Sequence, residues 1–237
     1  MDHPDTGRRW TMLHWAIILL AALCSFQGTL DPFSGDTANS RMATVYALVH
    51  HGTWEIGDPA QANPFEGGTI DKVRVEGRLY SSKPPVMPLM MAVQYTLLHH
   101  LFGYDLDQEA DRKPVLRILT AICISLPLFL SGVAFYLLLG LWQIKPWVKT
   151  VVLLTLMWGS EYAGYAATMN NHVPATACLI GAMWGFWALE DSKDVQTSNF
   201  CGLMGVLLGL AVTIDLPSAI FVFILVILFI CKFSKIN

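Results

Sequence analysis

Of 237 residues, 54% are hydrophobic and only 14% charged, and mean hydropathy is +0.48. Soluble domains carry about a quarter charged residues, so this balance excludes an ordinary soluble enzyme and points to a protein built for lipid. A net charge of −3 is too small for a nucleic-acid binder or a tether to an anionic surface. Cys24, Cys123, Cys178, Cys201 and Cys231 all lie in apolar runs without CxxC or metal-type spacing. They read as small core hydrophobes, which argues against disulfides and zinc.

Arg8-Arg9 precede the apolar run Trp10 to Leu30, which is long enough to cross a bilayer. Cleavable signal segments have shorter apolar regions, about 7–15 residues, and a small-residue exit site. Gln27-Gly28-Thr29 is a poor exit, so residues 11–30 read as a retained first span with its start in the cytoplasm. A long outer loop follows, residues 31–114, and a polar loop of that length is where a membrane protein collects its chemistry. Within it, Thr37–His51 places Ala38, Met42, Val45, Tyr46 and Val49 on one face. The pattern suits an amphipathic helix lying on the membrane surface, ended by Gly52. Residues 55–68, with Gly57, Pro59, Pro64 and Gly67-Gly68, are loop. Residues 72–80 alternate at Val73, Val75 and Leu79, which predicts a short strand or hairpin.

Val86–Phe102 is apolar but contains Gln94 and His99-His100. If it does not cross, Lys145, Lys149, Lys193, Lys232 and Lys235 all share the side of Arg8-Arg9; if it crosses, all five move outside. The positive-inside rule therefore favours a non-crossing interfacial helix. Arg117 opens a charge-free run, Ile118–Ile144, about 40 Å long as a helix. Pro146 and Lys149 mark a cytoplasmic turn, and Val151–Thr168 climbs back out with Glu161 near its end. Met169-Asn170-Asn171-His172 caps the outside, with Pro174 at the first turn of the next span. That span stops at Glu190-Asp191-Ser192-Lys193-Asp194. Phe200–Ile230 is too long for one crossing and is broken at Asp215-Leu216-Pro217. The expected fold is an all-α polytopic bundle of about six spans, five of them within residues 115–232, with juxtamembrane helices in the first outer loop. Both termini are then cytoplasmic.

This topology gathers Asp31, Asp36, Asp71, Lys83, Arg117, Glu161, Asn171, His172 and Asp215 on the outer face. Ionisable groups near membrane level are costly, so their concentration on one side suggests a site. Outer loops are also polar without any function. Tyr80-Ser81-Ser82-Lys83-Pro84-Pro85 has two readings. The prolines fix an extended corner that holds the Lys83 amine where a lipid phosphate lies. Alternatively they simply start a helix beside a snorkelling lysine, and spacing alone favours the second. His172 reads first as a residue capping a span start. His50-His51 and His99-His100 read as interfacial polar residues, since no partner spacing supports a metal.

An outer-loop acid after the first span, then Tyr80-Ser81-Ser82-Lys83-Pro84-Pro85 leading into an apolar helix that ends at Phe102-Gly103, then Arg117, resembles the GT-C membrane glycosyltransferases. The resemblance is strongest to the group of protein O-mannosyltransferases and aminoarabinose transferases. Gly205–Asp215 followed by Pro217-Ser218-Ala219 is similar to that family's glycine-rich span, with Asp215 where a basic residue is usual. The resemblance implies one module over residues 1–237 in a bacterial cytoplasmic membrane. It would transfer a sugar from a polyprenyl-phosphate donor on the non-cytoplasmic face. It implies Asp36 as general base, with Asp31 or Asp71 as substitutes, and Lys83 and Arg117 steadying the departing phosphate. Asp71, Glu161, Asn171 and His172 would contact substrate; no cofactor is required, and a divalent ion is a secondary expectation. Family members continue with further spans, so this chain reads as a truncated or partial module. A non-catalytic module that binds polyprenyl phosphate or a partner membrane subunit is the rival reading.

Overall fold

The computed structural model describes residues 4–28, 35–191 and 197–233, so Asp31, Ser192, Lys193, Asp194 and Lys235 lie outside the described residues. The chain is mostly helical, with one two-stranded hairpin. Three helices are long and apolar enough to cross a membrane, Gly7–Gln27, Glu109–Leu141 and His172–Leu189, and they mark a helical membrane protein. Four further apolar helices are shorter: Val86–Phe102, Pro146–Trp158, Phe200–Ile214 and Leu216–Cys231. At ~1.5 Å per residue, a 13-residue helix rises only about 20 Å against a hydrocarbon core of about 30 Å. By length alone, then, three of the expected six crossings are marked among the described residues.

The chain divides into two compact units. One comprises Phe26–Ile124 with Ala167–Asn170, the other Met1–Ser25, Ser125–Ala166 and Asn171–Asn237. The first, the polar unit, contains α2 (Asp36–Tyr46), β1 (Lys72–Val75), β2 (Arg78–Ser81), α3 (Val86–Phe102) and α4 (Glu109–Thr120). The predicted hairpin is present. Its two-residue turn, Glu76-Gly77, has positive φ at both positions (50° and 85°), the geometry that matches strand twist and that glycine accommodates at least cost. The pairing Lys72↔Ser81 and Val75↔Arg78 brings Asp71 beside Ser82, whose N–H donates to the Asp71 carbonyl at 3.1 Å.

α2 departs from the expected one-faced helix. Ala38 through Tyr46 are buried without a break, Asn39, Ser40 and Arg41 included. The reason is polar enclosure. Asn39 Nδ2 donates to the Gly68 carbonyl (2.8 Å), Asn63 Nδ2 to the Ala43 carbonyl (2.9 Å), and Ser40 Oγ to the Asp71 carbonyl (2.7 Å). The loop and hairpin thus close over the face that periodicity alone leaves to solvent. Arg41 donates to the Thr37 and Met169 carbonyls, both at 3.1 Å. The helix then widens into a π turn over Ala47–His51 and stops at left-handed Gly52, as predicted.

The apolar unit contains α1 (Pro4–Gln27) up to Ser25, α5 (Leu126–Leu141), α6 (Pro146–Trp158), α7 (Glu161–Tyr165), α8 (His172–Asp191), α9 (Thr197–Ile214) and α10 (Ala219–Phe233). Its few polar groups pair between helices, as a low-dielectric interior requires. Ser25 Oγ donates to the Ala166 carbonyl (2.6 Å) and shares a bond with Ser125 (2.9 Å). Ser131 and Tyr162 share a bond of 2.7 Å. α10 exposes Ile220, Phe221, Phe223 and Ile230, a surface suited to acyl chains.

Two expected spans are corrected. The helix containing Arg117 begins at Glu109, with Glu109 and Asp111 in its first turn where the helix dipole favours acids, so Arg117 lies inside it rather than opening it. The expected span over residues 151–168 stops at Trp158, because Ser160 is extended (φ −118°, ψ 166°) and a separate short helix starts at Glu161. The break after Ile214 falls where predicted, with Asp215 extended.

Candidate functional site

The hairpin register and the rigid Pro84-Pro85 corner together position Lys83. Ser81 ends β2, Pro85 precedes the first residue of α3, and Lys83 between them turns its amine onto the Asp71 carboxylate at 2.7 Å. Thr37 Oγ1, in the first turn of α2, donates to the same carboxylate oxygen at 3.0 Å. Both side chains of the pair are about one-quarter exposed. The Lys83 hydrogen bond, then that of Thr37 and the charge of Arg41, hold the Asp71 carboxyl below its ordinary range, against the opposing effect of burial.

A chain of hydroxyls backs the pair. Ser40 Oγ spends its proton on the Asp71 carbonyl, so the 2.6 Å contact between Ser40 and Ser81 is donated by Ser81. Ser81 Oγ in turn accepts the Lys83 N–H at 3.2 Å. Lys83 borders a cavity of about 230 Å³ lined by Thr44, Trp54, Tyr80 and Ser81, with Pro85 and Pro88 as its wall. That is smaller than the ~300–1,000 Å³ typical of drug-sized ligands and suits a headgroup. The polar side chains along it are those of Lys83, Thr44, Tyr80 and Ser81 and the indole of Trp54.

The other candidate residues are placed as follows. Asp36 is exposed at the start of α2; its Oδ1 accepts the Ile70 N–H (3.2 Å) and its carbonyl accepts Thr69 Oγ1 (2.7 Å). It therefore neighbours Asp71 through the 69–71 segment without lining the cavity beside Lys83. Arg117 is exposed on α4, and no hydrogen bond or ion pair joins it to Asp71 or Lys83 among the described residues. Glu161, Asn171 and His172 belong to the apolar unit. Glu161 is exposed and Asn171 buried. His172 Nδ1 meets the largely buried Asp215 carboxylate at 2.8 Å, and its ring packs against Tyr165 at 4.7 Å. Asp215 thus has a concrete partner. The apolar unit also holds a cavity of about 200 Å³ between α8, α9 and α10, lined by residues such as Phe186, Met204, Leu225 and Phe229, with the Cys201 thiol as the titratable group in its wall.

Sequence reasoning missed Thr37, Ser40 and Ser81 as the supports of the Asp71–Lys83 pair. The one signal that could have found them is the hairpin itself, since counting its register back from Glu76-Gly77 sets residue 71 opposite 82. Comparison with family models, with curated proteins and with solved structures finds no match to this chain.

Proposed function

We propose that this protein is a membrane-embedded glycosyltransferase of the lipid-linked-sugar type, working on the non-cytoplasmic face with the Asp71–Lys83 couple at its centre. The observation that supports it is the 2.7 Å pair beside a headgroup-sized cavity. At rest Lys83 keeps Asp71 ionised. The polyprenyl-phosphate sugar entering the cavity, a phosphodiester monoanion, brings a phosphate oxygen to the amine, and the second negative charge that grows on that phosphate as it leaves draws Lys83 from Asp71. Asp71, released from its partner, regains basicity and takes the proton of an acceptor hydroxyl. The hydroxyl oxygen bonds to the anomeric carbon, the carbon–oxygen bond to phosphate breaks, and the electron pair leaves on the phosphate, steadied by Lys83. Of the two described carboxylates among those expected as base, Asp71 has a cationic partner, and Asp36 flanks it. On this reading α6, α9 and α10 cross where the bilayer thins locally around them and complete six spans, with Val86–Phe102 interfacial and both termini in the cytoplasm of a bacterial inner membrane.

A non-catalytic module that only binds the lipid phosphate is the second reading, favoured by the lack of any bond from Arg117 to the pair among the described residues. Undecaprenyl phosphate binding to the purified chain in nanodiscs, with transfer from a polyprenyl-phosphate hexose, separates the two. The transferase reading expects Lys83→Ala to lose at least tenfold in lipid binding, and Asp71→Asn to keep binding while losing at least a hundredfold in transfer. Binding without transfer in the unmodified chain selects the second reading, and no binding ends both. Topology is read independently: in a cysteine-free background, Ser82→Cys reacts with an impermeant maleimide from the outside only.

A further inference from the structure

The polar unit holds a second cluster, where the end of α2 meets the loop between α3 and α4. The π turn over Ala47–His51 stacks the His50 ring on Tyr46 at 4.3 Å. His50 Nε2 shares a 2.9 Å hydrogen bond with the Tyr95 hydroxyl, which also accepts the Leu106 N–H at 2.9 Å. The imidazole is thereby tied to the segment that carries Asp105 and Asp107. Tyr46 donates its hydroxyl proton to Asp107 Oδ1 at 2.6 Å, and Asp105 Oδ1 accepts the Asp107 N–H at 3.0 Å. One ligand-type atom from each of His50, Asp105 and Asp107 lies within 4.8 Å of the other two.

We propose that His50, Asp105 and Asp107 form a binding site for a divalent transition-metal ion of the zinc or manganese type. Charge is the first argument. Neither carboxylate is in an ion pair with a lysine or arginine among the described residues. Arg112, the basic residue of this corner, gives its guanidinium to the Leu106 and Asp107 carbonyls and to the face of Phe65 instead. The imidazole is the second: a ring nitrogen of His50 lies within 4.8 Å of an oxygen of each of the two carboxylates. Orientation is the third, since Tyr95 anchors the ring and Tyr46 one carboxylate, the outer support on which metal ligands depend. π turns of this kind recur at functional positions. With ligand bonds of about 2.1 Å in a tetrahedral arrangement, ligand atoms stand about 3.4 Å apart, so side-chain rotations that draw the three atoms together by up to about 1.4 Å make the site. One imidazole with two carboxylates suits zinc or manganese, whereas magnesium and calcium prefer oxygen alone. The site shares no residue with the Asp71–Lys83 pair, and its test does not depend on transfer.

The test is calorimetric titration of ZnCl2 into the chelator-stripped full chain in detergent, with excess Mg2+ present. One ion per chain is expected, with at least tenfold weaker binding in both His50→Gln and Asp107→Asn, about tenfold in Tyr95→Phe, and no change in Lys83→Ala. Absence of saturable one-to-one binding, or unchanged affinity in both ligand variants, overturns the site. Because His50 also packs on Tyr46, a measurement on the unmodified chain stands beside the variants. Pulsed EPR of bound Mn2+ is expected to show coupling to one imidazole nitrogen, and its absence likewise overturns the site.

Discussion

The two units of this chain handle polarity in opposite ways. The apolar unit has few polar side chains, and the pairs named above are one to one, the hydroxyls Ser25 with Ser125 and Ser131 with Tyr162, and the His172 imidazole with the Asp215 carboxylate. The polar unit buries a guanidinium, an amide and hydroxyls inside a single helix, and surrounds them with irregular chain whose carbonyls they satisfy. The contrast has a simple cause. Helices satisfy their own backbone and need side chains only to pack. The loop between residues 52 and 85 has carbonyls to satisfy, and polar side chains on α2 supply the donors. Charge accumulates where irregular backbone is buried, and there the ionisable pair Asp71–Lys83 is found.

Substitutions sharpen this contrast, and the largest effect is expected at Arg41. Arg41→Met removes the guanidinium donor from the Met169 carbonyl and its added bond to the Thr37 carbonyl, and about 3 kcal/mol of stability is expected to be lost. Denaturation in detergent measures it, and a loss below ~0.5 kcal/mol would break the claim that α2 is held by polar enclosure. In the apolar unit the sensitive feature is packing. A Cβ at Gly132 stands 2.9 Å from Ile18 Cγ2 and 3.0 Å from Met157 Cε, so Gly132→Val is expected to cost about 2 kcal/mol by overpacking. Thermal unfolding of the same preparation reads it. Gly77→Ala, at φ +85°, is expected to cost about 1 kcal/mol and to loosen the Asp71–Lys83 register, seen as faster amide exchange at Ser82.

The smallest effect is the acid limb of the Asp71–Lys83 pair. The ordinary Asp value is 3.8, and Lys83 lowers it in the folded chain. Unfolded chains therefore bind the proton first as pH falls. The pair's contribution is complete above the ordinary value and is lost as pH drops through the depressed folded value. Given the partial exposure of both groups, it is worth under about 1 kcal/mol. Stability followed from pH 6 to pH 2 is expected to show a shallower acid limb in Asp71→Asn than in the parent, and identical limbs would remove the pair from the stability balance.

Much of the architecture was legible in residue order. Apolar runs of about 20 residues mark the long helices because a helix is the economical way to bury backbone in lipid. Pro217 and the extended Asp215 divide α9 from α10, and alternation with a two-residue Glu76-Gly77 turn marks the hairpin. Local rules erred where a break depends on neighbours. The interruption at Gly159-Ser160 comes where Glu161 opens a new helix with Ser160 before it, and the start of α4 at Glu109 depends on acids that capture a helix dipole rather than on apolar content.

What residue order determined by itself was the medium, the helical class and the hairpin, because each follows from hydrophobicity or turn chemistry read within about 20 residues, while the candidacy of Asp71 and Lys83 came from a family resemblance. Only tertiary structure decided that Asp71 meets Lys83, that α2 is buried on every side, and that His50 lies against Asp105 and Asp107, more than 50 residues away. Those outcomes depend on strand register and on which carbonyls a folded loop leaves unsatisfied, and a chain read in one dimension carries neither quantity.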